Sequence, residues 1–184
     1  MKKVLFLSLL AILAFTLSPA FLGGYGPGSE EAYAQGKLRL AVVGKISKEQ
    51  SARRFEYLFP QLTANFREAF SQDDRFDLMS QEKVDRALAS SGIAKGKLNP
   101  DDASQLRKIG KQAGADLVFV SYYYEMGGHA MPMHSNNVLM LVWVRKEEMV
   151  KIDRAYSRIL SENELISSDV MGFKELMKKV GPML

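Results

Sequence analysis

Cysteine is absent from all 184 residues while the first 34 read as an export leader, so a fold formed outside the cytoplasm has to hold by burial alone. Lys2 and Lys3 precede an apolar run from Val4 to Leu17, a charged segment feeding a hydrophobic one of secretory-signal length. After a Pro/Gly-rich stretch, Ala32-Tyr33-Ala34 offers the small-x-small pattern that signal peptidase reads, with Gln35 as the new N-terminus. The apolar run falls short of the ~20 residues a spanning helix needs, which disfavours an uncleaved anchor. The expectation is a signal peptide over 1–34 and one domain over 35–184, located in the periplasm or secreted. A domain of about that size buries roughly 70% of its unfolded surface, enough for a core without disulfides. The missing thiols also exclude thiolate metal sites, thiol catalysis and a lipidated cysteine.

The net charge of +4 belongs to the expected mature part, because Lys2 and Lys3 cancel Glu30 and Glu31. A nucleic-acid binder concentrates its cations on one face among aromatics. Here Arg53-Arg54, Arg107-Lys108-Lys111 and Lys174-Lys178-Lys179 sit beside acids or along helix faces, the pattern of solvated surface.

Leu38 to Val43 is an apolar run without alternation, ended by Gly44, and reads as a central strand covered on both faces. Residues 45–57 read as a polar, then amphipathic, connector. From Pro60 the spacing of Leu62, Phe66 and Phe70 predicts a helix. A short strand over Phe76-Asp77-Leu78-Met79 follows, then a helix from Ser80 to Ser91-Gly92. Asn99-Pro100-Asp101-Asp102 predicts the start of another helix, whose buried face is Ala103, Leu106, Ile109 and Ala113 and whose stop is Gly114. Ala115 to Tyr124 is the most strand-like run of the chain. A loop over 125–137, strands over Val138 to Arg145 and Val150 to Leu160, and a helix over Asp169 to Lys179 complete the reading. The predicted order is β-α-β-α-α-β-β-β-α, an α/β single domain with a mixed sheet of about five strands and helices packed on it.

Three stretches, LRLAVVG, LTANFREAFSQDDRFDLMSQEKVDRALASSG and LNPDDASQLRKIGKQAGADLVFVSYY, carry a resemblance to a group of exported bacterial domains. The group comprises the amino-terminal domain of TolB, the curli-secretion lipoprotein CsgG and the lipoprotein activators of penicillin-binding proteins. The resemblance covers roughly residues 37 to 180 and implies a periplasmic module that docks onto another envelope protein and has no catalytic residues to transfer. Two departures stand out: Gly44-Lys45 replaces the Pro-Phe pair common after the opening strand, and the lipidation cysteine is absent. The closing strands, short and charged at their turns, do not suit a membrane pore.

The sharpest chemical candidate is the segment Gly127 to His134. His129, Met131, Met133 and His134 form a set of imidazoles and thioethers of the kind copper prefers. The competing reading is a hairpin loop whose methionines fold back on the core. Of Tyr122, Tyr123 and Tyr124, neighbours point to opposite faces, so one face is core and the other is available for recognition. Tyr123, His129 and His134 are the candidate partner contacts. Trp143, mid-strand, is expected in the core. Adjacent acids at Asp73-Asp74, Asp101-Asp102 and Glu147-Glu148 diverge rather than converge on a cleft, and Gly-x-Ser-x-Gly and phosphate-loop spacings are absent. The functional expectation is a non-enzymatic, cofactor-free periplasmic module of envelope assembly, secretion or cell-wall synthesis, partnered by another envelope protein and not by nucleic acid. A copper protein using the His/Met loop and a binder of small cell-wall fragments are the alternatives. Oligomeric state and the partner's identity are not written in the sequence.

Overall fold

A computed structural model describes residues 36–47, 50–93, 97–128 and 131–184. The expected leader lies outside these residues. Strand β1 (Leu38–Ser47) leads into a 3₁₀ helix (Gln50–Leu58) that continues directly as helix α1 (Phe59–Ser71). Strand β2 (Phe76–Leu78), helices α2 (Gln81–Ser90) and α3 (Ala103–Ala113), and strands β3 (Leu117–Gly128), β4 (Met131–Trp143) and β5 (Met149–Tyr156) follow. Helix α4 (Glu162–Val180) and a short 3₁₀ turn (Gly181–Met183) end the chain. The five strands lie in the order β2-β1-β3-β4-β5, parallel between β1 and its two neighbours and antiparallel from β3 to β5. The α/β reading and its element order hold.

Three layers result. Helices α2 and α3 bury Val84, Leu88, Leu106 and Ile109 against Ala41, Val118, Val120, Val138 and Met140 on one sheet face. Helices α1 and α4 bury Phe66, Phe70, Leu176 and Val180 against Leu40, Val42, Phe119, Leu139 and Leu141 on the other. Strand β1 has cover on both faces, as its unbroken apolar run predicts. Trp143 is buried in the second of these clusters.

The structure moves four boundaries. Residues 125–137 are not a loop: β3 and β4 stay paired as far as Gly128 and Met131, because polar side chains such as Glu125, Ser135 and Asn136 find partners without leaving the ladder. The connector at 45–57 divides between the end of β1 and the 3₁₀ helix. Helix α3 is capped by Asp102, whose Oδ1 accepts the Ser104 N–H at 3.0 Å, and not by Asn99, which accepts the Asp101 N–H at 3.2 Å in a preceding turn. Helix α4 begins at Glu162, well before Asp169, so Ser168 and Asp169 lie inside the helix on its buried side.

Candidate functional site

A bulge in β1 organises the site. The pairing of β1 with β3 slips between Val42 and Gly44, so that Gly44 faces Val120 and Lys45 faces Ser121. Simple alternation would set Lys45 beside Ala41 and Val43, in the apolar core under α2 and α3. The bulge re-aims it toward α1 and α4. Gly44 permits this with φ +96°, and the side chain of Thr63 on α1 fills the space where a Cβ would stand. Thr63 Oγ1 also accepts the Lys45 backbone N–H at 2.9 Å.

The Lys45 ammonium, wholly buried, donates to Asp169 Oδ1 at 2.7 Å, to Ser121 Oγ at 2.9 Å, and to Asn137 Oδ1. Its three protons are thus met by β3, β4 and α4. Asn137 Nδ2 in turn donates to Asp169 Oδ1 and to Ser168 Oγ, both at 2.9 Å, and the Tyr156 hydroxyl of β5 reaches Ser168 Oγ at 2.7 Å. Burial pulls the Lys45 pKa below its ordinary value against the opposing attraction of Asp169. A buried ion pair of this kind adds less to stability than its short distances suggest, because both ions leave water. Its role is to lock the root of the β3–β4 hairpin to β1 and α4.

Beyond that root the two hairpin faces differ. On the face of Tyr123, the 3₁₀ helix closes over: Phe55 packs edge-on against the Tyr123 ring with centroids 5.6 Å apart, and Arg54 reaches Glu125 at 3.0 Å. The Tyr123 hydroxyl donates to Glu125 Oε1 at 2.9 Å. Tyr123 is therefore a core residue and has no exposed surface for the contact expected of it. On the opposite face, Tyr122 and Tyr124 stack 6.1 Å apart, the Tyr122 hydroxyl donates to Asp101, and Lys151 Nζ lies 3.0 Å from the same carboxylate. Burial and Asp101 raise the Tyr122 pKa. Tyr124 is half-buried, and next along this face come Met126, 46% exposed, and its cross-strand partner His134, also exposed. This is the uncovered end of the sheet.

His129 and the side chain of Met131 lie outside the described residues. Met133 is 43% exposed and precedes the exposed His134 on β4, so strand alternation sends the two side chains to opposite faces. Among the described residues, no three His, Cys, Asp or Glu side chains gather as metal ligands. Also among these residues, no helix is long and apolar enough to cross a membrane.

No protein-family model matches the chain, and no curated protein matches it. Among solved structures it is similar to the LpoB C-terminal domain from Escherichia coli, with 18% identity and a TM-score of 0.45 over 76% of this chain and 92% of that one. It is also similar to the LpoB C-terminal domain from Salmonella enterica, with 20% identity, a TM-score of 0.42, and 70% and 90% of the chains covered. A third similar structure is the lipoprotein GNA1162 from Neisseria meningitidis, with 13% identity, a TM-score of 0.39, and 77% and 99% covered. These are distant likenesses. None of them assigns a role to a residue of this chain.

A larger cleft of about 660 Å³ opens at the end of β1, lined by Ser47, Glu56, Thr63, Arg67, Gln81 and Asp85 among others. Crevices past the carboxyl ends of parallel strands are common ligand sites. Here, however, the Arg67 guanidinium donates to Met79 O at 2.8 Å and Gln81 Oε1 at 3.2 Å, and Gln81 Nε2 donates to Asp85 Oδ1 at 3.0 Å. Those polar groups tie α1 to the start of α2.

Sequence reasoning missed the polar cluster altogether. Lys45 reads as the first residue of a polar connector, and Asp169 as a first-turn acid of a helix. The sole local sign was the Gly44-Lys45 pair that departs from the expected phrase.

Proposed function

We propose that the chain is a non-catalytic docking module of the bacterial cell envelope, which engages another envelope protein through the uncovered face of the β3–β4 hairpin. The observation that carries this reading is the row of half-buried Tyr124 and exposed Met126 and His134, on a hairpin whose other face is covered at Tyr123 by Phe55 and whose root is bolted by Lys45. Methionine beside an aromatic gives an adaptable apolar contact, and tyrosine adds a hydrogen-bonding tip. Strand β5, an edge of the sheet, lies alongside and offers backbone groups for strand pairing. The leader expected over residues 1–34 and the sequence phrases that resemble those of the TolB, CsgG and penicillin-binding-protein-activator group support the envelope setting.

The test is a photo-crosslinking residue placed at Tyr124 in living bacteria, with Tyr123 as the buried control. Capture of one dominant envelope protein from position 124 and none from position 123 is the expected result. Equal capture at both positions, or none at either, would sink the reading.

Copper binding by His129, Met131, Met133 and His134 is the second reading, favoured by the exposure of both Met133 and His134, although the two side chains leave opposite faces of the strand. It requires stoichiometric copper uptake that vanishes in the His129→Ala/His134→Ala double variant with the fold intact.

A further inference from the structure

Two tyrosines on the open sheet face carry parallel sets of neighbours, one complete and one not. In the inner set the chain supplies its own cation: Lys151 Nζ stands 5.8 Å from the centre of the Tyr122 ring and 3.0 Å from Asp101 Oδ1. In the outer set, Tyr124 pairs across the hairpin with Asn136, whose Nδ2 donates to Asp153 Oδ1 at 2.7 Å. Asp153 is exposed and has no ion pair among the described residues. Asn136 is only 9% exposed, and its Oδ1 has no donor among the described residues. Polar groups at that depth are rarely left unmet. The oxygen is nevertheless reachable, because the enclosed and unmet side-chain atom among these residues is Asp169 Oδ2, on the opposite face.

Charge is the first selector of a guest. Lys151 neutralises Asp101, which leaves Asp153 as the uncompensated carboxylate of the two sets, on a chain whose net charge is +4. A cation is drawn to it and an anion repelled. Geometry is the second. The open oxygens, Asn136 Oδ1 and Asp153 Oδ2, belong to two planar groups joined by a hydrogen bond, which suits the forked donors of a guanidinium better than the single point of an ammonium. The half-buried Tyr124 ring in the same row adds a surface on which a guanidinium stacks. Access is the third. Ala155, exposed on the edge strand β5, lies opposite Asn136, so in that row only a methyl group stands between the edge and the carboxamide. A side chain arriving from a strand paired to β5 crosses two strand spacings, about 10 Å, which takes a long one.

We propose that Asn136, Asp153 and Tyr124 form the seat of an arginine side chain supplied by the docked protein partner. The inference rests on the docking reading given above and names the group the partner brings to that face. The arginine takes the place in the outer set that Lys151 holds in the inner one. Arginine is also among the residues on which docking energy concentrates.

The experiment titrates the purified chain with N-acetyl-threonyl-arginyl-threoninamide, with its lysine and citrulline counterparts and with chitobiose, and follows the Asn136 side-chain amide by NMR. Citrulline keeps the shape of arginine and removes its charge. One stacked cation on one exposed carboxylate binds in the millimolar range, so saturable shifts from the arginine peptide are expected below about 20 mM. The lysine peptide should bind about threefold weaker and the citrulline peptide at least about tenfold weaker. Asp153→Asn, whose side-chain oxygen can still accept from Asn136, should weaken the arginine peptide at least about tenfold with Tm little changed. No saturable shift, or shifts of equal strength in Asp153→Asn, overturn the site. A citrulline peptide as strong as the arginine one overturns the charge requirement, and an equally strong lysine peptide overturns the guanidinium. Shifts from chitobiose alone overturn a polypeptide guest in favour of a glycan. In cells, capture from position 124 should fall at least about tenfold in Asp153→Lys. Undiminished capture in that variant overturns the arginine seat and leaves docking standing, whereas loss of capture in the unaltered chain overturns docking itself.

Discussion

Lys45 Nζ and Asp169 Oδ1 stand 2.7 Å apart inside the protein, although 124 residues separate them along the chain. That single contact joins the first strand to the last helix, and with Ser121 and Asn137 it draws the two hairpin strands into the same knot.

Removing one ion should cost far more than removing both. Asp169→Ala leaves a buried ammonium without its counterion, and a loss of about 3–5 kcal/mol in urea unfolding is expected. Lys45→Met combined with Asp169→Leu should recover most of that loss, since no buried charge remains. A double variant as unstable as the single one would mean that Asn137, whose Oδ1 loses the ammonium and whose Nδ2 loses Asp169, dominates the energetics.

Gly44→Ala should destabilise by about 1–3 kcal/mol through overpacking and backbone strain. The added Cβ would fall 2.4 Å from Thr63 Oγ1, on a residue held at φ +96°. Thr63→Ala in the same background relieves the clash but leaves the positive φ, so partial rescue measured by denaturant midpoint is the outcome expected.

Acid should loosen the start of α4 before the rest. Glu164 accepts a hydrogen bond from Arg158 at 2.8 Å and from the Ser161 backbone N–H at 2.8 Å, and these partners hold its carboxyl at about 2 rather than the ordinary 4.5. A depressed folded-state pKa contributes stability that is present above 4.5 and lost as the pH falls toward about 2. Amide exchange in the first turn of α4 should rise through that window, and Glu164→Gln should flatten the response. An unchanged profile in the variant would assign the acid sensitivity elsewhere.

Charge placed on the open hairpin face should abolish docking without unfolding the domain. Met126→Glu with His134→Glu puts two acids on cross-strand neighbours that already face water. Partner capture should fall at least tenfold while Tm shifts little, exposed sites being tolerant of such changes. A large fall in Tm would show that the hairpin end is needed for the fold.

How far the site could be read in advance depended on which residues share a face. The Tyr122-Tyr123-Tyr124 run announced one buried and one available face through strand alternation alone. Which face was which hung on Phe55 and the 3₁₀ helix that carries it, a segment whose sequence looked like a plain connector. The 125–137 stretch, rich in glycine, methionine, histidine and asparagine, resembled a loop because its polar residues have partners only across the hairpin.

Local periodicity, capping and apolar runs, which are short-range properties, were enough to determine the strand and helix order, the two-sided burial of β1 and the domain's reliance on its core. The tertiary structure alone decided the knot of Lys45, Ser121, Asn137 and Asp169. A one-residue bulge reverses the parity of everything after it, and a charge is stable in the interior only when a distant partner arrives to meet it. Both conditions are set by how the sheet and α4 come together, and no window of neighbouring residues contains them.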